Sequence, residues 1–290
     1  MFSREYARRA VSSAARNPGA FLRGGGSAIY DKRMREWLRT RQAYRDSPKE
    51  TLGFKIFLDP EDMSPISSLI ATSGYANLPV TCLLKAVLRR GMKVVDVGAN
   101  LGFYAMVAAR AVGPAGKVWA VEPEPHNFTL MRRSLEASGM TNVEPLQMAL
   151  SKGARVERLY LAPASEPNAH TLTQDRGAGS LEVAASSLDD FWRERGGGKL
   201  DLLKVHVFGD EAVVLGGARR VLEESRPMVV TRFGSARWSD DPGLLDDLFA
   251  WYDVYEIVDS PRLVRPMARS EAVAETRAGV FLKPKRAANP

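Results

Sequence analysis

The chain has 290 residues, 45% of them hydrophobic, and a formal net charge of +7. This length and apolar content suffice for one or two domains with a sizeable core. Residues 1–50 hold 12 Lys and Arg against 5 Asp and Glu, whereas residues 51–290 hold 29 of each kind. The excess charge therefore belongs to an N-terminal arm, which argues against a body that forms one large nucleic-acid-binding face.

The N-terminal arm contains one segment with the periodicity of an amphipathic helix. After a run of three glycines, apolar side chains recur along one helical face. They are Tyr30, Met34, Trp37 and Leu38. A helix that docks on the body is the first interpretation, and a helix that contacts a partner, a membrane or another acidic surface is the alternative. Residues 1–50 are therefore predicted to form a basic, α-rich arm.

From residue 91 onward, short apolar strands alternate with helical segments. The predicted strands are 93–97, 117–121, 143–150, 200–207, 227–231, 254–258 and 279–282. This alternation is typical of right-handed βαβ units and of a mostly parallel sheet. We predict one α/β domain at 51–290, in which 51–90 lead in and 91–290 form the core, with a β insertion near 151–187.

Residue usage disfavours several other kinds of protein. The single cysteine, Cys82, excludes an intrachain disulfide framework and a zinc site with more than one Cys ligand. Only three histidines occur, so no metal site is expected. No apolar stretch approaches 18 residues and no apolar segment follows the first arginines, so neither a transmembrane helix nor a secretory signal is predicted. A cytoplasmic protein is expected, with an organellar transit peptide as the alternative.

The strand at 93–97 ends in a glycine turn with an acid at its edge. The turn reads Asp96-Val-Gly98-Ala-Asn100-Leu-Gly102, and a helix is predicted directly after it. Glycines let the backbone approach a ligand closely, and a helix N-terminus offers unpaired N–H groups. The spacing differs from the G-x-G-x-x-G of dinucleotide-binding folds. A carboxylate at Asp96 would repel a pyrophosphate but attract an ammonium or sulfonium group.

A second acid follows the next predicted strand. Glu122 lies 26 residues after Asp96, at a strand end where a carboxylate can accept hydrogen bonds from both hydroxyls of a ribose. Taken singly, Asp96 could merely stabilise its turn and Glu122 could merely cap a helix. Together the two acids indicate a cationic nucleoside ligand, and S-adenosylmethionine is the obvious candidate.

These motifs and others downstream resemble the FkbM-type methyltransferase family over roughly residues 52–283. The matching strings are Asp96–Tyr104, Gly113–Lys117, Glu122–Phe128, Thr141–Val143, Ala149–Ser151, Ser187–Asp190 and Lys204–Glu211. The resemblance implies a class I methyltransferase (Rossmann-like) fold, with a mostly parallel seven-stranded sheet flanked by helices. It also implies methyl transfer from S-adenosylmethionine to a hydroxyl oxygen, often of a sugar or a secondary metabolite.

The resemblance further assigns the cofactor residues by position. The methionine part of S-adenosylmethionine would be lined by Asp96, Gly98, Asn100 and Gly102. Glu122 would hold the ribose. The segment Met148–Ser151, which includes Ala149 and Ser151, would face the adenine.

The chain departs from the family pattern at the fourth strand of the core. Where the family usually has Lys-Ile-Asp-Val-Glu-Gly-x-Glu, this chain has Lys204-Val-His206-Val-Phe208-Gly-Asp-Glu211. The next strand also lacks its usual closing acid and reads Val229-Val-Thr-Arg-Phe233. Because a neutral His replaces an Asp, a magnesium-dependent mechanism is disfavoured.

Two residues of this altered strand are candidate catalytic residues. His206 could be the general base that takes the hydroxyl proton, because imidazole titrates near neutrality. Alternatively, it could be a satisfied polar residue in an acceptor pocket reshaped by Phe208, or the site could have lost its activity. Lys204 could orient the acceptor or could be the structural partner of a carboxylate.

The sequence therefore predicts an S-adenosylmethionine-dependent O-methyltransferase that acts on a hydroxyl of a small molecule, sugar or glycan. One alternative is an RNA methyltransferase whose basic arm holds phosphates. Another is a cofactor-binding module without catalysis. Neither the acceptor nor the oligomeric state can be deduced from the sequence.

Overall fold

The computed structural model describes residues 28–62, 65–153, 155–162, 170–175, 177–233, 238, 241–259, 263–273 and 279–285. Its helices are α1 (Ala28–Thr40), α2 (Pro65–Ser73), α3 (Leu78–Val87), α4 (Phe103–Val112), α5 (Pro125–Ala137), α6 (Leu188–Glu194), α7 (Glu211–Gly216), α8 (Arg219–Glu224), α9 (Pro242–Trp251) and α10 (Arg269–Val273). Its strands are β1 (Lys49–Thr51), β2 (Phe54–Ile56), β3 (Lys93–Val97), β4 (Lys117–Val121), β5 (Val143–Leu146), β6 (Ala149–Ser151), β7 (Arg155–Tyr160), β8 (Ser180–Ser187), β9 (Leu202–Val205), β10 (Met228–Arg232), β11 (Tyr252–Ile257), β12 (Val264–Pro266) and β13 (Gly279–Pro284).

The main sheet has the strand order β12-β11-β13-β10-β9-β3-β4-β5. The five strands from β5 to β10 in this order run parallel, and β13 lies antiparallel between β10 and β11. The predicted mostly parallel sheet flanked by helices is therefore confirmed. The sheet has eight strands rather than the expected seven, because Val264–Pro266 adds a short antiparallel edge strand to β11.

Two hydrophobic cores cover the two faces of this sheet. Along β3, Val94 packs into one core, whereas Val95 and Val97 pack into the other. Side chains of successive strand residues point to opposite faces, so a strand covered on both sides is apolar almost throughout. Asp96 is the exception within β3, and it is buried on the same face as Val94. A buried acid in such a strand needs a specific partner.

A separate three-stranded sheet, in the order β6-β8-β7, forms the predicted insertion. The strands β7 and β8 pair antiparallel, as expected, and β6 joins β8 in parallel. The predicted strand 143–150 is consequently two strands, because the chain leaves the main sheet after Leu146 and enters the small sheet at Ala149.

The described part of the N-terminal arm packs against the body. Trp37 on α1 is fully buried, and its Nε1 donates to the carbonyl of Asp62 at 2.9 Å. Arg41 Nη1 donates to the carbonyl of Pro60 at 2.8 Å. Leu38, which was predicted to lie on the same apolar face as Trp37, is 43% exposed. Residues 1–27, with the glycine run and any transit signal, lie outside the described residues, and no described helix has the length and apolarity needed to span a membrane.

Candidate active site

The candidate site lies at the edge of the main sheet where the parallel strands end. Because β3, β4, β9 and β10 run parallel, their carboxyl ends meet at one edge. Asp96 is the penultimate residue of β3, Glu122 directly follows β4, and His206 directly follows β9. The sheet topology therefore brings Asp96, Glu122 and His206 to a common edge, as in other open α/β sheets.

A buried ion pair joins the two central strands at this edge. Lys204 Nζ lies 2.7 Å from Asp96 Oδ1, and the two side chains are only 4% and 2% exposed. The same Nζ donates to the carbonyl of Gly98 at 3.3 Å. Burial raises the pKa of Asp96, and the Lys204 cation opposes this shift. Lys204 is thus the structural partner of a carboxylate, and its positive charge compensates much of the negative charge of Asp96.

The second carboxylate oxygen of Asp96 is different. Asp96 Oδ2 is buried and has no hydrogen bond of good geometry to the described residues, although the backbone N–H of Ala105 lies near enough to the carboxylate to lower its pKa. A buried acceptor without a donor is costly, and native proteins usually satisfy it with protein, water or ligand. The ammonium group of the methionine part of S-adenosylmethionine has donors of the required charge. This oxygen therefore fits the predicted cofactor.

Gly98 lets the turn after β3 pack tightly on the end of β9. Its φ is +69°, and a Cβ at this position would overlap the carbonyl oxygen of His206 and lie 3.0 Å from Val207 Cγ1. The backbone N–H of His206 also donates to the carbonyl of Val97 at 3.1 Å. The close contact between the predicted cofactor turn and the backbone of His206 thus requires a glycine at this position, whether or not a ligand is bound.

The rest of the turn is arranged by hydrogen bonds to Asn100. This residue has φ +53°, a conformation that Asn tolerates better than most residues. Its Oδ1 accepts from the N–H of Leu101 at 2.8 Å, and its own N–H donates to Glu122 Oε2 at 2.8 Å. Gly102 directly precedes α4 and has φ +85°. Because glycine has no side chain, it offers no capping acceptor to the first N–H groups of this helix.

Glu122 is buried and holds the backbone of both neighbouring turns. Besides the Asn100 N–H, its carboxylate accepts from the N–H of Glu124 at 3.0 Å through Oε1. Burial raises the pKa of Glu122 to about 7, and these backbone hydrogen bonds oppose the shift. Each carboxylate oxygen keeps a second acceptor direction, so the group can also take donors from a ligand.

His206 lies among cations. The pairing of Val230 with Lys204 places Arg232, two residues further along β10, level with His206. Burial lowers the pKa of His206 well below its usual value, and the positive charges of Arg232 and Lys204 lower it further. His206 is therefore neutral near pH 7 and can accept a proton. Burial also raises the pKa of Tyr104, which keeps this neighbouring phenol protonated.

The family described as "Methyltransferase FkbM domain" matches residues 96–255, more than half of the chain. The chain belongs to this family. Family membership assigns the class I methyltransferase fold and S-adenosylmethionine as the methyl donor.

Similarity to curated proteins is confined to shorter segments. The chain is 39% identical to a protein-L-isoaspartate O-methyltransferase of Methanothrix thermoacetophila over 85 residues. This aligned segment covers 28% of this chain and 40% of that protein. The chain is also 40% identical to a probable cobalt-precorrin-6B C(15)-methyltransferase of Sulfolobus acidocaldarius over 68 residues. This second segment covers 23% of this chain and 35% of that protein. The matched segments thus span less than half of either relative.

A solved structure of the same family also aligns with this chain. It is the methyltransferase FkbM from Methylobacillus flagellatus, with 13% identity and a TM-score of 0.43. The alignment covers 90% of this chain and 63% of that one.

Two predicted cofactor residues of this FkbM-family chain lie in the small sheet instead. The methyl group of Ala149 packs with Leu159, Val183 and Ala185. Ser151 Oγ donates to Glu157 Oε1 on β7 at 3.0 Å. Both side chains have structural roles there, and their contact with adenine stays a prediction.

The sequence analysis missed two acids that shape the site. Glu211 is buried and accepts from the N–H of Val207 at 3.3 Å and of Gly209 at 2.9 Å, so it fixes the turn after His206. Asp210 is buried and bonds the insertion as described below. Both acids stand in the Lys204–Glu211 string, where Glu211 matches the family pattern and Asp210 fills its variable position.

Asp210 ties this turn to the β insertion. Its carboxylate accepts from Thr171 Oγ1 at 2.6 Å, from the N–H of Leu172 at 2.8 Å and from Thr173 Oγ1. Such bonds to an ionised acceptor are among the stronger hydrogen bonds of proteins. The insertion is therefore held against the edge where the predicted acceptor site begins.

The other two histidines have contacts of their own. His126 Nε2 is 3.5 Å from Asp59 Oδ2 and is exposed, and His170 Nδ1 accepts from the N–H of Ala162 at 3.0 Å. Within the described residues, no group of three or more His, Cys, Asp or Glu side chains is arranged to hold a metal ion.

Proposed function

We propose that this chain is an S-adenosylmethionine-dependent O-methyltransferase that methylates a hydroxyl group of a small molecule, sugar or glycan. The observation that carries the proposal is the position of His206. Its backbone packs on Gly98 of the cofactor turn, and its imidazole is kept neutral by burial and neighbouring cations. These contacts support a proton acceptor beside the predicted cofactor site.

The cofactor would be held by the acids of β3 and β4. Asp96 Oδ2 would accept from the ammonium group, Glu122 would accept from the ribose hydroxyls, and Asn100 and Gly102 would shape the turn around the methionine part. When bound, S-adenosylmethionine supplies a methyl group on a positively charged sulfur, which makes this carbon a good electrophile.

The protein then has three tasks. It must align the acceptor oxygen with the methyl carbon, exclude water and take up one proton. His206 would take the proton from the acceptor hydroxyl as its oxygen receives the methyl group. The insertion that Asp210 holds at this edge would close the acceptor site against water.

A carboxylate oxygen is a second candidate acceptor. Arg232 stands level with His206 on the neighbouring strand, and a cation there favours an acidic substrate. The matched relatives also include proteins named protein-L-isoaspartate O-methyltransferases. A carboxylate has no proton to lose at neutral pH, so this reaction would not require a base.

Methyl transfer from labelled S-adenosylmethionine to a panel of hydroxyl and carboxylate acceptors, including an isoaspartyl peptide, distinguishes these functions. For a hydroxyl acceptor, His206→Ala should lower kcat by roughly 10²–10⁴-fold and leave the affinity for S-adenosylhomocysteine unchanged. His126→Ala, at an exposed histidine, is the control. Full activity of His206→Ala would refute the base, and cofactor binding without turnover of any acceptor would favour a non-catalytic module.

The pH dependence of kcat gives a second test. Activity requires neutral His206, so it is lost as the pH falls through the pKa of this imidazole. Because burial and the two cations lower this pKa well below 6.5, activity should stay constant through pH 6.5 and decline only at lower pH. A decline that begins above pH 6.5 would contradict this account of the site.

A further inference from the structure

Phe208 is an exposed aromatic residue at the edge of the candidate site. It is 43% exposed, one of only three large apolar side chains this accessible among the described residues. Its φ is +45°, in the left-handed region that bulky side chains seldom adopt. The residue therefore combines two unfavourable features, an unusual backbone conformation and a large apolar side chain that is 43% exposed.

Buried acids fix this conformation from both sides. Glu211 accepts from the N–H groups of Val207 and Gly209, the two neighbours of Phe208 in the chain. Asp210 binds the insertion at the same turn. Glycine would adopt the same φ at no steric cost, so the turn itself does not require a ring at position 208.

The location of this ring connects it with the chemistry. Phe208 follows His206 by two residues, beyond the carboxyl end of β9. Val207, between them, packs on Gly98 of the predicted cofactor turn. The partly exposed ring thus belongs to the same turn as His206, at the edge of the sheet where the acceptor site is predicted.

We propose that Phe208 is a specificity-determining residue that forms an aromatic platform for the ring of the acceptor. The acceptor would present a flat, C–H-bearing face to this ring and a hydroxyl group to His206. An aromatic ring and a sugar ring share this chemistry, because both offer polarised C–H groups or a π face to an aromatic side chain. This inference rests on the function proposed above.

Binding of ring probes to the protein saturated with S-adenosylhomocysteine tests the platform. The probes are catechol for an aromatic face and methyl β-glucopyranoside for a sugar face, with glycerol as the acyclic control, followed by saturation-transfer NMR. Wild type should bind at least one ring probe, and Phe208→Ala should weaken that binding at least tenfold. Phe208→Trp should restore it, and Val156→Ala, at another exposed apolar residue, should not affect it.

Phe208→Gly separates a functional role from a structural one. Relief of the left-handed conformation should raise the Tm by roughly 2–4 °C while ring binding is lost. If Phe208 were only structural, its removal would leave ring binding unchanged, and that result would overturn the proposal. Failure of wild type to bind either ring probe would also overturn it. Failure to bind S-adenosylhomocysteine would instead refute the proposed function, and the platform with it.

Discussion

The two halves of the candidate site differ in charge and in exposure. At the ends of β3 and β4 the predicted site residues are the acids Asp96 and Glu122, which are buried and bonded to neighbouring groups. At the ends of β9 and β10 they are the cation Arg232, the neutral His206 and the exposed Phe208. The first half retains the pattern of the family, whereas the second departs from it.

This difference indicates how one fold can keep its cofactor and change its acceptor. A cofactor site must present fixed polar groups to one molecule, and here backbone N–H groups hold Glu122 and a lysine holds Asp96. An acceptor site needs only alignment and a proton acceptor, so its residues can vary with the substrate. The ion pair of Lys204 and Asp96 is the direct side-chain link between the halves.

Lys204→Ala should give the largest effect, because it breaks this link. Removal of one partner leaves Asp96 buried and uncompensated, which should cost roughly 3–5 kcal/mol of folding free energy. Urea unfolding measures this loss. The matched control is Lys117→Ala on β4, whose lysine lies 3.2 Å from Glu144 in an exposed pair. It should cost at most about 1 kcal/mol. Similar losses of folding free energy in the two variants would show that the buried pair stabilises the fold no more than the exposed pair.

Asp210→Ala should give a smaller and more local effect. Two threonine hydroxyls and the N–H of Leu172 lose a charged acceptor, so the expected cost is roughly 2–3 kcal/mol. Hydrogen exchange of residues 170–175 should accelerate, while exchange in β3 and β4 stays slow. Asp175→Ala, at an exposed acid that accepts from the N–H of Gly177 within the same insertion, should leave exchange unchanged. Equal acceleration in both variants would argue against Asp210 as the anchor of the insertion.

The residues of the first half of the predicted site can be located from the sequence, whereas the contacts of the second half cannot. Asp96, Gly98 and Glu122 follow from strand ends and glycine spacing, which are local properties of the chain. The approach of Gly98 to His206 joins residues 108 positions apart in sequence and becomes visible only when β3 and β9 are paired. The same holds for the partner of Lys204, for which the sequence left two interpretations open.

The errors of the fold prediction have local causes as well. Residues 143–150 have one continuous strand-like pattern, and only the pairing of Ala149 with Ala185 reveals the change of sheet. The edge strand Val264–Pro266 is too short to be recognised from periodicity. The contacts of Asp210 and Glu211 were missed because each bonds backbone or hydroxyl groups, which leave no pattern in the sequence.

The smallest predicted effect concerns the pH dependence of cofactor binding. Glu122 has a pKa raised to about 7 by burial, so it ionises between pH 6 and pH 8. Ribose hydroxyls bind an ionised carboxylate more strongly than a neutral one. The affinity for S-adenosylhomocysteine should therefore rise by up to roughly tenfold over this range, as measured by calorimetry. Glu122→Gln should abolish the rise, and Glu124→Gln should preserve it.

The fold responds to the same ionisation with the opposite sign. Because the folded-state pKa of Glu122 lies above its ordinary value of 4.5, the group contributes stability below that pH and loses it as the pH rises through about 7. Between pH 6 and pH 8, Glu122 should thus lower the stability of the free protein while it strengthens cofactor binding. If binding and stability changed in the same direction, Glu122 would not be the titrating group, and the acidic half of the site would need another explanation for its pH dependence.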